Sequence, residues 1–325
     1  MEIVTADIGG THARLAIATV QSGRVVGMAE PVSMATADHG SLQIAWQAFA
    51  AHLGRPLPRA AAIAIAAPVR GAVIQLTNNP WVVRPALIPD QLGVDTHVLI
   101  NDFEAVAHAV DAVDDAEFMH VTGPDIPLSS SIVDGVISII GPGTGLGVAA
   151  LLRTPSHSHV IATEGGHSDF APLDAIDDRI LAHLRGKYTR VSVERVVAGP
   201  GLRAIWEVLA AMAGCDVPRG DDKALWTMAL AGDDSIAAAA LERFCLALGS
   251  VAGDIALTHG PGPVVLAGGL GRRLANHLPT SGFADRFVAK GRYRSLMEAL
   301  PVKLIKHPEP GLFGAAAAYA KEFAQ

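Results

Sequence analysis

Residues 5–18 read TADIGGTHARLAIA. Two apolar runs meet at an acid, two glycines and a threonine, where a plain hairpin needs only a turn. Asp7 ends the first run, Gly9, Gly10 and Thr11 follow, and the second run starts at once. The plan returns at 135–152, GVISIIGPGTGLGVAALL: apolar strand, Gly/Thr turn, apolar strand. Such internal repetition predicts two related halves. Glycine permits φ > 0 and lets backbone approach a ligand closely. Successive N–H groups can then converge on an anion, and Thr11 and Thr144 add hydroxyl donors. The turns are read as facing phosphate.

A third apolar run, PVVLAGG at 263–269, reads as a strand ending in Gly268 and Gly269. Any one of these turns alone could be a mere hairpin. Three of them, each ending an apolar strand, favour the phosphate reading. No G-x-x-x-x-G-K-[ST] occurs, which excludes a P-loop. No G-x-G-x-x-G follows a strand either. The fourth residue after Gly143 is Gly147 and the fifth is Val148, so a dinucleotide fold is unsupported.

The chain has 325 residues, half of them apolar, which predicts about two domains with sizeable cores. A net charge of −7 without any Lys/Arg-rich block argues against a nucleic-acid or anionic-membrane surface. An anionic ligand would then need backbone N–H groups, a helix N-terminus or a metal ion. Cys215 and Cys245 lie in no CxxC, which fits a reducing cytoplasm. Asp7 sits where the apolar part of a signal peptide would be, so none is expected. No run of 18 apolar residues free of charge and breakers predicts a membrane span.

Around the turns, strands are predicted at 3–8, 13–20, 61–69, 97–100 and 301–307, with a short one after the turn at 21–24. Residues 73–83 read as a strand broken by a polar turn. Helical spacing covers 41–53 behind a Ser cap, and also 174–186, 200–213, 234–259 and 311–323. The stretch near 111–134 carries Asp, Gly, Pro and Ser and is placed at the domain change. The last helix is expected to return to the first domain. The expected division is 1–112 plus 308–325 as a small N-terminal domain and 113–307 as a large C-terminal one.

The polar residues form a pattern of their own. NDF at 101–103 joins a strand end to a helix start. Asn101 and Asp102 either cap that helix or do chemistry there. A carboxylate at a strand's C-terminal end can accept the proton of an attacking hydroxyl, and the helix dipole would keep it ionised. TEGGHSDF at 163–170 offers Glu164 and His167 around a glycine pair. No third ligand and no HExxH accompany them, so a metal is disfavoured; a polar turn is the plain alternative. Glu194, in SVERVVAGPG at 192–201, is either a solvated first-turn acid or a ligand. Together, Asn101, Asp102, Glu164, His167 and Glu194 suit a neutral polyol. Hydrogen bonds to charged groups contribute about 1.5–3 kcal/mol each, enough to fix a small sugar without an aromatic platform.

DIGGTHARLAIA, TNNPW, LINDFEAVAHAV, GPGTGLGVA, TEGGHSDFAP, ERVVAGPGL, LAGGL and PGLFGAAAAYA together resemble the bacterial glucokinase family. The likeness runs in order from residue 2 to about residue 320. It implies an α/β fold similar to actin and hexokinase, with two ribonuclease-H-like domains and an interdomain cleft. It implies an ATP-dependent hexose kinase that moves the ATP γ-phosphoryl group to the 6-hydroxyl of D-glucose. Carried over by motif, Asp102 is the general base, and Asn101, Glu164, His167 and Glu194 hold the sugar hydroxyls. Thr77 and Asn78 border the sugar pocket. Ala6, Asp7, Ile8, Gly9, Gly10 and Thr11, with Gly143, Thr144, Gly268 and Gly269, line ATP, and Asp7 lies near its Mg²⁺. A cytoplasmic homodimer is also implied.

Two departures stand out. His12 takes the place where many relatives carry Asn, which alters a contact beside the phosphates. A cousin group of sugar kinases and repressors has a Cys-rich zinc motif after the histidine. This chain reads SDFAPLDAIDD there, so no structural zinc is expected. The alternatives are a kinase for another hexose or an N-acetylamino sugar, a sugar-responsive repressor and an actin-like assembly protein. A repressor would need a DNA-binding extension, yet the phosphate turn begins within seven residues of Met1. The sugar-type cluster argues against assembly.

Overall fold

The computed structural model describes residues 1–76, 79–131, 134–216 and 220–323. The strands are β1 (Glu2–Ile8), β2 (His12–Gln21), β3 (Arg24–Met28), β4 (Val32–Ala35), β5 (Ala60–Ile65), β6 (Ile74–Gln75), β7 (Val82–Val83), β8 (Thr96–Asn101), β9 (Phe118–Thr122), β10 (Gly135–Pro142), β11 (Leu146–Arg153), β12 (Ser158–Thr163), β13 (Val264–Leu266) and β14 (Val302–Ile305). The helices are α1 (Leu42–Leu53), α2 (Ile88–Leu92), α3 (Asp102–Ala112), α4 (Leu128–Ser131), α5 (Ala175–Arg185), α6 (Gly201–Ala213), α7 (Asp222–Ala231), α8 (Ser235–His259), α9 (Gly268–Arg273), α10 (Phe283–Val288), α11 (Arg294–Glu298) and α12 (Pro310–Phe323). Backbone contacts divide the chain into two compact units, Met1–Asp114 with His307–Gln325, and Asp115–Lys306.

In the first unit the main sheet runs β3-β2-β1-β5-β8, with β4 also on β2. β1 is antiparallel to β2 and parallel to β5, and β5 is parallel to β8. Both faces of β1 are covered. Val4, Ala6 and Ile8 pack with Leu15, Trp46, Phe49, Ile63 and Trp81, whereas Ile3 packs with Ala18, Ala62 and Tyr319. Burial on both faces explains why β1 and β5 read as continuous apolar runs rather than alternating ones. α12 covers the second face. The Thr5 hydroxyl donates to the Leu312 carbonyl at 2.7 Å, tying β1 to the first turn of that helix. Ser41 caps α1 by accepting from the Ile44 N–H, as its position before the periodic run predicts.

Register places the ends of three strands level. Ile8 pairs with Ile65, and Ile65 with Asn101. The 7–11 turn and the β8–α3 junction therefore share one edge of the sheet. They stand two strands apart, about 10 Å at the usual strand spacing.

The second unit repeats the order: β12-β11-β10-β13-β14, with β9 added beyond β14. β10 is antiparallel to β11 and parallel to β13, as β1 is to β2 and β5. The repeated strand–turn–strand motif thus forms the same central hairpin in each unit. α8 is long and apolar enough to cross a membrane by length and composition, although Glu242, Arg243 and Asp254 interrupt its apolar run. Here 67% of its apolar window is buried, with Leu241, Phe244, Leu248 and Ala252 in the core of this unit.

Three local expectations differ. β9 lies inside the stretch read as a linker, because its five residues, FMHVT, form a short run among Asp, Gly, Pro and Ser; its partner β14 supplies the order. The strand read at 61–69 stops at Ile65. Gly268 and Gly269 do not end a strand. They open α9 behind Ala267, the extended residue that precedes it.

Candidate active site

The residues singled out from the sequence fall into two groups, one in each unit. In the first unit, the 9–11 turn is closed by the Gly9 N–H donating to the His12 carbonyl at 2.9 Å. It is braced from below by residues the sequence reading did not name. The Asn79 amide lies 3.5 Å from the Gly9 carbonyl and 3.4 Å from that of Gly10. The Thr36 hydroxyl donates to the Gly10 carbonyl at 2.9 Å. The doubled asparagine before Pro80 was the only local signal for Asn79, whose own carbonyl accepts from the Trp81 N–H. Thr11 is exposed and its hydroxyl meets His12 Nδ1 at 3.0 Å. The side chains of Ala6 and Ile8 are fully buried in the core. Thr77 and Asn78 lie outside the described residues.

Asp7 faces away from that core. Arg14, its direct cross-strand partner, approaches it at 3.6 Å and Glu309 at 3.8 Å. Burial pushes the Asp7 carboxyl up to about 6; Arg14 pulls it down and Glu309 pushes it up. Gly311 leaves room for it: a Cβ there would stand 2.7 Å from Asp7 Oδ2 and push the carboxylate aside. The raised pKa has a definite sign for stability. The protonated form favours folding, so this contribution is complete below the ordinary value of 3.8 and is lost as pH rises through about 6. At 1.36 kcal/mol per unit the ceiling is about 3 kcal/mol, lowered by the solvent the group still touches. Asp7→Asn is therefore expected to melt higher than the parent at pH 7.5, by a margin that narrows at pH 5, while turnover falls. Thermal unfolding at the two pH values measures it; a pH-independent margin would count against the burial argument.

At the β8–α3 junction, Asn101 caps α3. Its Oδ1 accepts from the Phe103 and Glu104 N–H groups, and Glu104 reaches back to the Asn101 N–H, completing a capping box. Its Nδ2 donates to the Ala67 carbonyl at 3.2 Å. The capping reading thus holds for Asn101. Asp102 is the first residue of α3, with Oδ1 accepting from the Phe103 N–H at 2.8 Å.

In the second unit the 143–145 turn joins β10 to β11. The Gly199 N–H donates to the Gly143 carbonyl at 2.8 Å. Glu194 is not the solvated first-turn acid of the plain reading. Its Oε2 accepts from the Leu146 N–H at 2.9 Å, at the end of the same turn. A Cβ at Gly145 would stand 2.5 Å from that oxygen, so a side chain there would displace the Glu194 carboxylate. Gly268 takes φ +81°, unlike the glycines of the 9–11 and 143–145 turns. A Cβ on it would meet the Pro142 carbonyl at 2.9 Å, so the start of α9 lies against the β10–β11 turn. At Gly9, Gly143 and Gly269 a Cβ would meet nothing closer than 3.5 Å, so neither crowding nor φ requires glycine there.

Glu164 and His167 flank a 3₁₀ turn, Gly165–His167, and both are exposed. The turn sits on β11, where a Cβ at Gly166 would stand 2.2 Å from the Leu146 carbonyl. The second unit therefore gathers Gly143, Thr144, Glu164, His167, Glu194, Gly268 and Gly269 around one hairpin. The first gathers Asp7, Gly9, Gly10, Thr11, Asn101 and Asp102 at one sheet edge. Among the described residues no group of three or more His, Cys, Asp or Glu could hold a metal ion.

The glucokinase family model matches residues 4–322. The chain is 59% identical to a glucokinase of Zymomonas mobilis subsp. mobilis over 325 residues, 100% of this chain and 99% of that one. Among solved structures it is similar to a glucokinase from an Antarctic psychrotroph, with a TM-score of 0.83 and 32% identity over 98% of each chain. It is also similar to a ROK family glucokinase from Streptomyces griseus in complex with glucose and AMPPNP, with a TM-score of 0.62 over 98% of this chain and 99% of that one. That likeness, at 17% identity, concerns the fold alone. A match spanning both phosphate-type turns, the β8–α3 junction and the Glu194 segment leaves one conclusion: this chain belongs to the glucokinase family.

Proposed function

We propose that the chain is a glucokinase, an ATP-dependent hexose kinase that transfers the γ-phosphoryl group of ATP to the 6-hydroxyl of D-glucose, giving glucose 6-phosphate and ADP. The observation that carries the mechanism is Asp102 at the head of α3, on the sheet edge that also holds the 7–11 turn. One of its oxygens is oriented by the Phe103 N–H, and the helix N-terminus favours the ionised form. Such a carboxylate orients the sugar hydroxyl and takes its proton as the phosphoryl group moves. Little covalent work is asked of the protein, so positioning dominates.

Glu164, His167 and Glu194 offer groups for the sugar hydroxyls. Asn101 adds its second amide hydrogen, the first being given to Ala67. The Gly9–Thr11 and Gly143–Thr144 turns, with Gly268 and Gly269, present backbone to the nucleotide. A Mg²⁺ ion bound with ATP would supply charge neutralisation for the transfer. Asp7 fits as the residue beside it: a partly buried carboxylate, kept protonated up to about pH 6 by burial, is favoured by an added cation.

The repeated strand order supports reading both units as ribonuclease-H-like, with the substrates in a cleft between them. Sugar binding before chemistry would keep water from acting as acceptor. A cytoplasmic homodimer completes the proposal. The test is a coupled assay with ATP across glucose, mannose, N-acetylglucosamine and N-acetylmannosamine. Glucose is expected to give the highest kcat/KM. A higher value for an N-acetylamino sugar would reassign the substrate.

A further inference from the structure

The turn carrying Glu164 and His167 is held on two sides. On one side it sits on β11 through Gly166. On the other it meets residues 190–195. The Phe170 N–H donates to the Val191 carbonyl at 3.0 Å, and the Val193 N–H to the Ser168 carbonyl at 2.8 Å. These two bonds flank an antiparallel bridge between Asp169 and Ser192. So short a ladder is weak by itself. Arg190 extends it with both arms of its guanidinium. Nη2 donates to the His167 carbonyl at 2.6 Å, and Nε stands 2.6 Å from Asp169 Oδ1. A planar fork serves two acceptors in fixed geometry, which an ammonium does not.

Four residues on, the same segment presents Glu194, fixed to the Leu146 N–H. Its far side is anchored as well, since Arg195 lies 4.2 Å over the Tyr188 ring. Arg190 thus ties the Glu164–His167 turn to the segment that delivers Glu194. We propose that Arg190 is a positioning residue for the sugar. It sets the spacing between the groups at 164, 167 and 194, and it offsets the Asp169 charge next to two acceptor carboxylates. The inference rests on the hexose-kinase reading. Binding a small polyol through several side chains needs them held within about 0.5 Å, and the Glu194 carboxylate is held by the Leu146 N–H on β11. Exposed ion pairs contribute little to global stability. The effect of removing this one should therefore appear in sugar affinity rather than in melting.

The test compares the full-length parent, Arg190→Ala and Arg190→Lys. Glucose is titrated at saturating ATP, ATP at saturating glucose, and thermal unfolding is recorded. Arg190→Ala is expected to raise the glucose KM about three- to tenfold, with kcat within about twofold, the ATP KM unchanged and Tm nearly so. Arg190→Lys, which keeps the charge and loses the fork, should fall between. An unchanged glucose KM overturns the proposal. So does a rise of both KM values together with a lower Tm, which would make Arg190 a general prop. A parent inactive on glucose would instead sink the functional reading itself, so the two failures are told apart by the parent's own turnover.

Discussion

Asp102→Asn should bind glucose nearly as the parent does and lose turnover by about 10²–10⁴-fold, the span usual for a lost general base. The substitution is nearly isosteric. The carbonyl oxygen of Asn can still accept from the Phe103 N–H, now met at 2.8 Å by Asp102 Oδ1. α3 keeps its cap, because Asn101 and Glu104 form the capping box. The helix loses a first-turn charge, a matter of about 0.3–1 kcal/mol, too little to unfold the unit. What disappears is a group able to take the hydroxyl proton. Turnover from a coupled assay and glucose affinity from calorimetry separate the two effects. Near-parental turnover would remove Asp102 from the mechanism, and lost glucose binding would make it a sugar ligand first.

Gly314→Ala is expected to be the most damaging small substitution in the first unit. A Cβ there would lie 1.7 Å from the Ala105 carbonyl oxygen and 2.8 Å from the Ala109 nitrogen. Both are backbone atoms of α3, so no rotamer change relieves the clash. α12 and α3 would have to part by more than an ångström, opening a seam lined by Ala105, Ala315 and Ala316. The loss should be on the order of 3 kcal/mol or more, as for severe overpacking. Because α3 begins at Asp102, kcat should fall with it. Gly27→Ala on β3 is the control: nothing lies within 4 Å of its Cβ position. Denaturant unfolding of both variants checks the contrast, and a Gly314→Ala midpoint equal to that of Gly27→Ala would contradict the packing described here.

The legible parts share a cause. β1 with β2 and β10 with β11 were readable because two buried strands around a glycine turn leave an uninterrupted apolar signature. α1 was readable because Ser41 and the apolar period that follows act within a few residues. The misreadings share a cause too. β9 is five residues long and sits among turn-forming residues, and its order comes from distant β14, where Val302 pairs with Thr122 and Ile305 with Phe118. Gly268 and Gly269 followed a strand, and nothing local said that the chain would turn directly into a helix. Positive φ was open to all three turns and occurs at Gly268; Gly145 is crowded by Glu194, whereas Gly9, Gly143 and Gly269 have room for a Cβ.

The order of residues was enough to set the elements, the repeated hairpin plan and the family, because periodicity, capping and turn chemistry operate over a handful of neighbours. It could not say which carboxylate does what. Glu194 reads as a solvated acid until folding lays it on the Leu146 N–H, 48 positions away. Asp7 reads as an ordinary aspartate until burial, Arg14 and Glu309 fix its ionisation. Thr5 meets Leu312 across 307 positions. Burial and charge are sums over neighbours in space, and those neighbours exist only once the chain has closed on itself.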